Sequence, residues 1–600
     1  MSADVFTIDA LARAYDDGAD PADVVAAAYE RIAACPDPAV WITLRPRDEV
    51  LAEARALPRT TPRPPLWGVP CAVKDNIDVA DLPTTCACPP FAYRPERDAP
   101  VVARLRAAGA LVLGKTNLDQ FATGLVGVRS PYGAPRCVFD ERHVSGGSSS
   151  GSAVAVARRL VAFALGTDTA GSGRVPAAFN HLVGIKPTRG LLSTTGVVPA
   201  CRSLDCVSVF AATVADGDLV RRVAQALDPE DPYSRAPQPR ALRALPEDGA
   251  VIGVLADADR EFFGDDASAA LYARAVEGAA AAGFGVREID WAPFRDAARL
   301  LYGGAWVAER LAALEEALAA HEAAFDPAVR EILVQAKGVT APDAFRAVHR
   351  LAELARRAEA TWREVDFLLL PTAPTIYRVD AVQADPLRLN ANLGTYTNFV
   401  NLLDCCAVAV PAGFTPAGLP FGVTLVAPPF CDDALAVAAD RLHRLLAPTW
   451  GAERLPLPEA RPPGPSPDAT VDVAVVGAHL SGEPLNPALV SRGARLVART
   501  RTAADYRLFA LPGTTPAKPG LVREPGFAGP GIEVEVWRLS STMFGGLVAE
   551  VPPPLAIGSV TLESGAVVHG FVCEAWAVAG AEDITAHGGW KAYLRTLRGG

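Results

Sequence analysis

The stretch that decides the fold is SGGSSSGSAVAVA, residues 145–157, in which three glycines and five serines lead into a pattern of small apolar residues. Gly/Ser-rich tracts are typical of flexible linkers. This tract, however, continues directly into an apolar helix-then-strand pattern over residues 152–179, so we predict that it is buried structure. A phosphate-binding loop is a further alternative, but the tract lacks both the GK[ST] ending and the GxGxxG spacing.

A second glycine-flanked segment is GTDTAGSGRVPA, residues 166–177. Ser172 stands between two glycines, and a tight turn there can direct successive backbone N–H groups at one point, as an oxyanion hole requires. Such a serine could be a nucleophile if a base took its proton. His143 and His181 are the nearest histidines, and neither has the spacing of a nucleophile elbow, which disfavours a Ser-His-Asp triad.

The third segment, GVPCAVKDNID at residues 68–78, places Lys74 inside an apolar, strand-like run. One interpretation is a structural lysine that is paired with Asp75 or Asp78. The other is a buried lysine whose lowered pKa leaves it able to accept a proton. The residues by themselves leave both interpretations open.

Together the three segments resemble the signature of the amidase signature enzymes, which use a Ser-cisSer-Lys triad, and the resemblance covers most of residues 1–450. By position it implies Lys74 as the base, Ser148 as the relay after a cis Gly147–Ser148 peptide bond, and Ser172 as the nucleophile. It also implies an oxyanion hole built from the backbone N–H groups near Ser172, namely those of Thr169, Ala170 and Gly171. Small residues, Ser150 and Ala170, stand where many members have glycine.

Three further phrases resemble the allophanate hydrolase branch of that family: NLDQFATGLVGVRSPYG (117–133), GRVPAAFNHLVGIKPTRG (173–190) and GAHLSGEPLN (477–486). The resemblance implies hydrolysis of allophanate, a small anionic ureide, to ammonia and carbon dioxide through an acyl-enzyme. It implies substrate contacts from Tyr302, Arg310 and, at its backbone, Gly124. A guanidinium suits a carboxylate because it offers a rigid fork of donors.

Other interpretations of these residues stay open. Tyr302 and Arg310 are eight residues apart and would share one helical face, which also fits a core tyrosine and a surface arginine next to Glu309. For the whole chain, the alternatives are a broader amidase or the glutaminase subunit of an amidotransferase.

The chain is predicted to form two domains joined by a Pro-rich linker. Residues 1–455 alternate short apolar runs with alanine-rich helical stretches, which predicts an α/β domain with a mixed central sheet covered by helices. Residues 456–470 are the linker. Residues 471–600 consist of short β-rich runs punctuated by Gly and Pro, with a little helix at LNPALVSRG (485–493) and GGWKAYLRTL (588–597), which predicts a mainly β α+β domain.

The second domain resembles the allophanate hydrolase C-terminal domain, which is similar in fold to γ-glutamyl cyclotransferases. The resemblance implies that His479 takes part in a second step, the decarboxylation of N-carboxycarbamate. A lone histidine is also often only a structural hydrogen-bonding residue. The domain could instead be a noncatalytic module for dimerisation or for docking a urea carboxylase.

The composition of the chain indicates which partners and which cellular compartment to expect. A net charge of −11 and a pI near 5.4 predict a small-molecule substrate rather than nucleic acid. No apolar run reaches the ~18 residues of a membrane span, and the N-terminal segment lacks a basic, then apolar, signal pattern. Eleven scattered cysteines indicate reduced thiols, so we expect a cytoplasmic protein. We also expect a homodimer and neither a metal nor a cofactor. Cys86 and Cys88 form a tight pair that could instead bind a metal or act in redox chemistry.

Overall fold

The computed structural model describes residues 6–60, 62–238, 249–459 and 470–598. These residues divide into two compact units, a large one that ends before residue 460 and a small one that begins at residue 470. Most of the predicted linker, residues 460–469, lies outside the described residues, so the predicted domain limits stay a prediction.

A mixed sheet of eleven strands forms the centre of the large unit, in the order β1-β3-β2-β4-β6-β5-β10-β11-β9-β7-β8. Its pairs β2–β3, β2–β4, β7–β8 and β7–β9 are parallel and the others are antiparallel. The strands are β1 Trp41–Leu44, β2 Pro70–Lys74, β3 Leu111–Thr116, β4 Phe163–Asp168, β5 Val183–Lys186, β6 Cys206–Ala211, β7 Val251–Leu255, β8 Gly285–Ile289, β9 Phe367–Pro371, β10 Cys406–Phe414 and β11 Pro420–Ala427, with a separate ribbon of β12 Thr449–Trp450 and β13 Leu455–Pro456.

Helices pack against this sheet, as the alternation of apolar runs and alanine-rich stretches predicts. They are α1 Ile8–Asp16, α2 Pro21–Ala34, α3 Arg47–Ala56, α4 Pro100–Ala107, α5 Ser150–Ala157, α6 Val175–Phe179, α7 Val214–Ala224, α8 Asp266–Ala281, α9 Ala292–Gly303, α10 Trp306–His321, α11 Pro327–Ala336, α12 Ala341–Thr361, α13 Val379–Ala384, α14 Arg388–Leu393, α15 Phe399–Leu402 and α16 Asp432–Leu446. The predicted α/β class is confirmed for this unit.

The Gly/Ser-rich stretch is buried and leads into α5, every residue of which is buried. Its serines bind the helix to neighbouring strands. Ser149 Oγ donates to the Thr167 carbonyl at 3.1 Å, and Ser152 Oγ donates to the Leu165 carbonyl at 2.9 Å. A Cβ on Gly151 would lie 2.4 Å from the Val40 carbonyl oxygen, so the helix approaches this backbone as closely as glycine alone allows. The linker interpretation is therefore wrong.

The small unit is mainly β, as predicted. A five-stranded sheet has the order β15-β18-β14-β20-β19 and a three-stranded sheet the order β17-β16-β21. The elements are β14 Thr470–Val475, α17 Asn486–Ser491, β15 Arg495–Arg501, β16 Tyr506–Ala510, β17 Pro519–Arg523, β18 Glu533–Ser540, α18 Ser541–Ala549, β19 Leu555–Thr561, β20 Val567–Cys573, β21 Glu582–Asp583 and α19 Trp590–Arg598.

The small unit has its own apolar core, which includes Tyr506, Val536 and Trp537. Sequence analysis predicts the helices at α17 and α19 but not α18, where two glycines in STMFGGLVA lower the helical propensity. Ser540 caps α18 by accepting a hydrogen bond from the Met543 N–H at 3.2 Å. None of the helices in the described ranges has the length and apolar character that a bilayer span requires.

Replacing Gly151 with alanine is expected to destabilise the large unit, because the added methyl group would meet backbone atoms of Val40 and Asn117. Overpacking of a dense core typically costs about 1–3 kcal/mol. Gly338→Ala is the matched control, since its Cβ would lie an ordinary 3.5 Å from the Gln335 carbonyl. Thermal unfolding followed by circular dichroism tests this, and equal melting temperatures for both variants would contradict it.

Candidate active site

Lys74 lies at the carboxyl end of β2, and its side chain is fully buried. Its Nζ is 2.7 Å from Ser148 Oγ and 2.7 Å from Thr167 Oγ1. Among the described residues no carboxylate forms an ion pair with this amine. The neighbouring Asp75 pairs with Lys115 instead, at 3.3 Å, and Asp78 accepts from hydroxyls, so the salt-bridge interpretation of Lys74 is wrong.

The environment of Lys74 favours the uncharged amine. Burial lowers the pKa of Lys74 from 10.5 to about 7, although Asp119, Asp205 and Asp168 act in the opposite direction. A neutral amine has a lone pair that can accept a proton from the Ser148 hydroxyl, while one of its N–H groups donates to Thr167. The geometry therefore suits a general base near neutral pH.

Ser148 follows a cis peptide bond to Gly147 and is completely buried. The segment before it packs against the carboxylate of Asp119, which accepts backbone N–H bonds from Gly127 at 2.9 Å and Arg129 at 3.0 Å. A Cβ on Gly147 would lie 2.1 Å from Asp119 Oδ2, so this position has room for glycine only. These contacts place the Ser148 hydroxyl against Lys74.

Ser172 lies in the turn after β4, and its side chain is almost fully buried. In the described part of the chain its Oγ donates to the Gly124 carbonyl at 3.3 Å and makes no hydrogen bond to Ser148. Gly124 and Gly147 both pack against the same Asp119 carboxylate, which brings the segments of the two serines close together. The predicted second link of the triad, from Ser172 to Ser148, is thus not formed in this structure.

The turn that carries Ser172 presents four consecutive backbone N–H groups, those of residues 169–172. None of the four has an acceptor among the residues that the structure describes, although the turn is buried. Buried backbone donors are nearly always paired, so this turn is suited to an anionic oxygen that a ligand supplies. Gly171 has φ +144°, and a Cβ there would lie 2.4 Å from Thr397 Oγ1, which excludes larger residues.

A buried ion pair holds this turn in place. Arg174 donates from Nε and Nη2 to the Asp168 carboxylate at 2.8 and 2.9 Å, and the Gly173 N–H donates to the same carboxylate at 3.0 Å. Burial acts to raise the pKa of Asp168, but Arg174 holds it below its usual range. Asp168 therefore stays ionised and anchors both ends of the turn around Ser172.

Tyr302 and Arg310 belong to two helices rather than one, because α9 ends at Gly303 and α10 begins at Trp306. Arg310 is buried, which contradicts the surface-arginine interpretation. Its Nη1 donates to Thr123 Oγ1 at 2.6 Å, and its guanidinium lies 5.9 Å from the centroid of the Tyr302 ring. Thr123 precedes Gly124, so Arg310 is linked to the segment whose carbonyl accepts from the Ser172 hydroxyl.

Tyr302 is half-buried and lines a cavity of about 340 Å³ together with Gly304 and Asn390. Asn390 Oδ1 accepts a hydrogen bond from the Leu125 N–H at 2.7 Å. Asn390 therefore connects this cavity to the segment that contains Gly124. The large unit thus combines a serine, a buried amine with a lowered pKa, backbone donors that lack an acceptor in the described ranges, and a buried cation.

His479, in the small unit, lines a separate cavity of about 280 Å³. Its ring stacks on Phe571 with centroids 4.8 Å apart. Burial lowers the pKa of His479 to about 4, and the positive charges of Lys518 and Arg492 contribute. Lys518 lines the same cavity, so a neutral imidazole and a cation face one space.

The cysteine pair shows no sign of a metal site. Cys86 and Cys88 are buried in an apolar cluster that includes Phe121 and Phe325. Across the described ranges, no group of three or more histidine, cysteine, aspartate or glutamate side chains could hold a metal ion. All eleven cysteines lie in these ranges, and none of them forms a disulfide bond.

The comparisons with known proteins agree with this arrangement. The family model Amidase matches residues 23–436, which is more than half of the chain. The chain belongs to the amidase family. The model of the allophanate hydrolase C-terminal domain matches residues 471–595, so the amidase unit is followed by a second recognised domain.

Two relatives cover nearly the whole chain. Urea amidolyase from Lachancea kluyveri is 46% identical over 89% of this chain, but the match covers only 30% of that protein. The solved structure of Kluyveromyces lactis allophanate hydrolase is 42% identical, covers 97% of this chain and 98% of its own, and has a TM-score of 0.72. This amidase chain thus spans about 30% of the length of the Lachancea kluyveri urea amidolyase.

A third relative matches a smaller share of the chain. It is one chain of the glutamyl-tRNA(Gln) amidotransferase from Mycobacterium tuberculosis, which is 35% identical over 68% of this chain and 89% of its own. Membership of the amidase family alone therefore does not determine the substrate.

Sequence reasoning missed several residues that shape the site: Asp119, Thr123, Thr167, Asp205 and Asn390. Thr167 lies inside a quoted motif, and its place two residues before Thr169 on a buried strand could have indicated it. Asp119 and Thr123 also lie inside a quoted motif. Their roles, like those of Asp205 and Asn390, depend on contacts between segments that are far apart in the chain, such as the one between Asn390 and Leu125. Motif spacing carries no information on such contacts.

Activity is expected to depend on one ionisation near pH 7. Since the base must be uncharged, kcat/KM falls about tenfold for each pH unit below the pKa of Lys74 and is constant above it. Initial rates of ammonia release on an uncharged amide, measured from pH 5 to 9, test this. Lys74→Met is the control and should show no such titration, whereas a flat wild-type profile would contradict the lysine base.

Proposed function

We propose that this chain hydrolyses allophanate to ammonia and carbon dioxide in urea degradation, with N-carboxycarbamate as the intermediate. The observation that carries the proposal is the buried Lys74 amine 2.7 Å from Ser148 Oγ, in a unit that also buries the Arg310 guanidinium. The allophanate hydrolase C-terminal domain after this unit supports the same substrate.

The first step is acyl transfer at Ser172. Lys74 accepts the Ser148 proton while Ser148 accepts the Ser172 proton, and Ser172 Oγ forms a bond to the terminal amide carbon of the substrate. This step requires Ser172 to turn from the Gly124 carbonyl towards Ser148. The amide nitrogen then leaves as ammonia with the proton returned from the relay, and water cleaves the acyl-enzyme to release a dicarboxylate.

The oxyanion of each tetrahedral intermediate is stabilised by the N–H groups of Thr169, Ala170, Gly171 and Ser172, which have no acceptor within the described chain. Donors of this kind are preorganised, because the buried Asp168–Arg174 pair holds the turn before substrate binds. No reorganisation is then needed when negative charge develops on the carbonyl oxygen.

Arg310 supplies the charge that selects a carboxylated substrate. Its guanidinium is fixed by Thr123 and lies near the Tyr302 ring. Within the described ranges it forms no ion pair with a carboxylate, so an anionic ligand would compensate its buried charge. Gly124 is the residue after Thr123, and its carbonyl accepts a hydrogen bond from the Ser172 hydroxyl at 3.3 Å. A small substrate with a carboxylate at one end and an amide at the other fits both sites.

We further propose that the small unit decarboxylates N-carboxycarbamate at the His479 cavity. The neutral imidazole can donate one N–H or accept a proton, and Lys518 can bind a carboxylate of the intermediate. Loss of carbon dioxide leaves carbamate, which breaks down to ammonia and a second carbon dioxide.

Two alternatives have support of their own. A glutaminase role is suggested by the 35% identical amidotransferase chain, but that match covers 68% of this chain and leaves the small unit unexplained. A broader amidase would not need the buried Arg310. The small unit could also be a noncatalytic assembly module, and the decarboxylation test below separates the two roles.

Partners and assembly follow from the same proposal. We infer that a urea carboxylase supplies allophanate, and that the enzyme is a cytoplasmic homodimer. The similarity to a protein named urea amidolyase supports a supply route that starts from urea. Light scattering on the purified protein tests the dimer.

The Ser172→Ala variant is expected to release no ammonia from allophanate, because the bond-forming oxygen is lost. Wild-type protein should prefer allophanate over glutamine, aryl amides and the carboxylated amide malonamate. Ammonia release, corrected for uncatalysed decomposition, measures both. Full turnover by Ser172→Ala would contradict the nucleophile, and a preference for glutamine would favour the glutaminase alternative.

The His479→Ala variant of the full chain should release the first ammonia at the wild-type rate and the second slowly, because only decarboxylation is impaired. His587→Ala is the matched control, since this exposed histidine of the small unit does not line the cavity. Simultaneous assays of ammonia and carbon dioxide distinguish the two phases. Unchanged carbon dioxide yield in His479→Ala would leave the small unit with an assembly role.

A further inference from the structure

A short turn before β6, residues 200–205, contacts two parts of the site. One is the turn of residues 169–172, which we call the oxyanion turn, and the other is α10, the helix that carries Arg310. Its last residue, Asp205, is buried. The Thr169 hydroxyl donates to Asp205 Oδ1 in a short hydrogen bond, and the N–H groups of Ala200 and Cys201 donate to Oδ2 at 2.9 and 3.1 Å. The carboxylate therefore closes its own turn and holds the first residue of the oxyanion turn.

The other side of the same turn binds α10. Glu309 accepts hydrogen bonds from both the N–H and the hydroxyl of Ser203, each at 2.7 Å, and the Cys201 thiol lies 3.1 Å from the same carboxylate. Arg310 is the next residue along the helix and points into the protein. The position of its guanidinium is thus set by Thr123 on one side and through Glu309 on the other.

A third contact makes the turn rigid. The Asn401 side chain donates from Nδ2 to the carbonyls of Asp168 and Leu204, each at 2.8 Å, which joins the end of β4 to the turn. Burial raises the pKa of Asp205 to about 6, so the carboxylate is ionised at neutral pH and both of its oxygens accept. These hydrogen bonds therefore fix the position of residues 200–205 relative to the end of β4.

We propose that Asp205 and Glu309 are positioning residues, which hold the oxyanion turn and Arg310 at a set separation through residues 200–205. The reacting carbonyl and the substrate carboxylate are both held by groups that this turn locates. Errors of about 1 Å in such placement can cost ~100-fold in rate. The part that concerns Arg310 rests on the proposed function, whereas the part that concerns the oxyanion turn applies to any amide substrate.

Substitutions at the two carboxylates, Asp205 and Glu309, are expected to have different kinetic effects. Thr169→Val, which removes the donor to Asp205, should lower kcat about tenfold or more on both carboxylated and uncharged amides, with little change in KM. Asp205→Asn should act in the same direction, and Thr169→Ser, which keeps the hydroxyl, should restore wild-type kcat. Glu309→Gln should raise KM about fivefold for malonamate and leave KM for propionamide unchanged.

The assay uses the full chain with allophanate, malonamate and propionamide, which differs from malonamate by lacking the carboxylate. Thr188→Val is the matched control, since its hydroxyl donates to the buried Asp432 at 2.6 Å outside the site, so it should lower stability without lowering kcat. Melting temperatures are measured for every variant, which separates loss of fold from loss of placement.

Wild-type kcat in both Thr169→Val and Asp205→Asn would overturn the proposal, and so would equal effects of Glu309→Gln on KM for malonamate and propionamide. If Thr169→Val does not fold, Asp205→Asn and Thr169→Ser decide the matter. A wild-type enzyme that hydrolyses the simple amides but not allophanate would refute the proposed function while leaving this test of the turn intact.

Discussion

The rest of the large unit depends on one constraint, the burial of the Lys74 amine, which pairs with no carboxylate in the part of the chain that the structure describes. Charging this amine inside the protein is less favourable than in water by an amount on the order of a few kcal/mol, which brings its pKa to about 7. The fold maintains this state by giving the carboxylate of the next residue in the chain, Asp75, another partner in Lys115. Because Asp75 pairs with Lys115, the Lys74 amine can lose its proton near neutral pH and accept one from the Ser148 hydroxyl beside it.

Close backbone packing is the second requirement of the site, and it explains the composition of the Gly/Ser-rich stretch. Gly147 and Gly151 stand where a Cβ would meet Asp119 or a backbone carbonyl. The serines have a different purpose, because buried hydroxyls satisfy carbonyls such as those of Leu165 and Thr167 at the end of β4. Small polar residues therefore allow the helix to lie against the sheet without unpaired polar groups.

Buried carboxylates position the site rather than take part in the chemistry. Asp119 orders the segments before Ser148 and beside Ser172, Asp168 anchors the oxyanion turn, and Asp205 holds its first residue. Each is satisfied by backbone N–H groups, hydroxyls or an arginine, so none is free to pair with Lys74. Their negative charges still raise the pKa of Lys74, which keeps that pKa near neutral pH instead of far below it.

The sequence by itself determined the α/β class, the β-rich second unit and the three segments that meet around Lys74, because helix and strand periodicity and glycine-serine motifs are local properties. Only the tertiary structure decided that Asp75 pairs with Lys115, that a break at Gly304 separates Tyr302 from Arg310, and that Ser172 bonds to Gly124. Contacts such as those of Asp205 and Asn390 join distant segments, and side-chain partners of that kind depend on how strands and helices pack, which spacing along the chain does not encode.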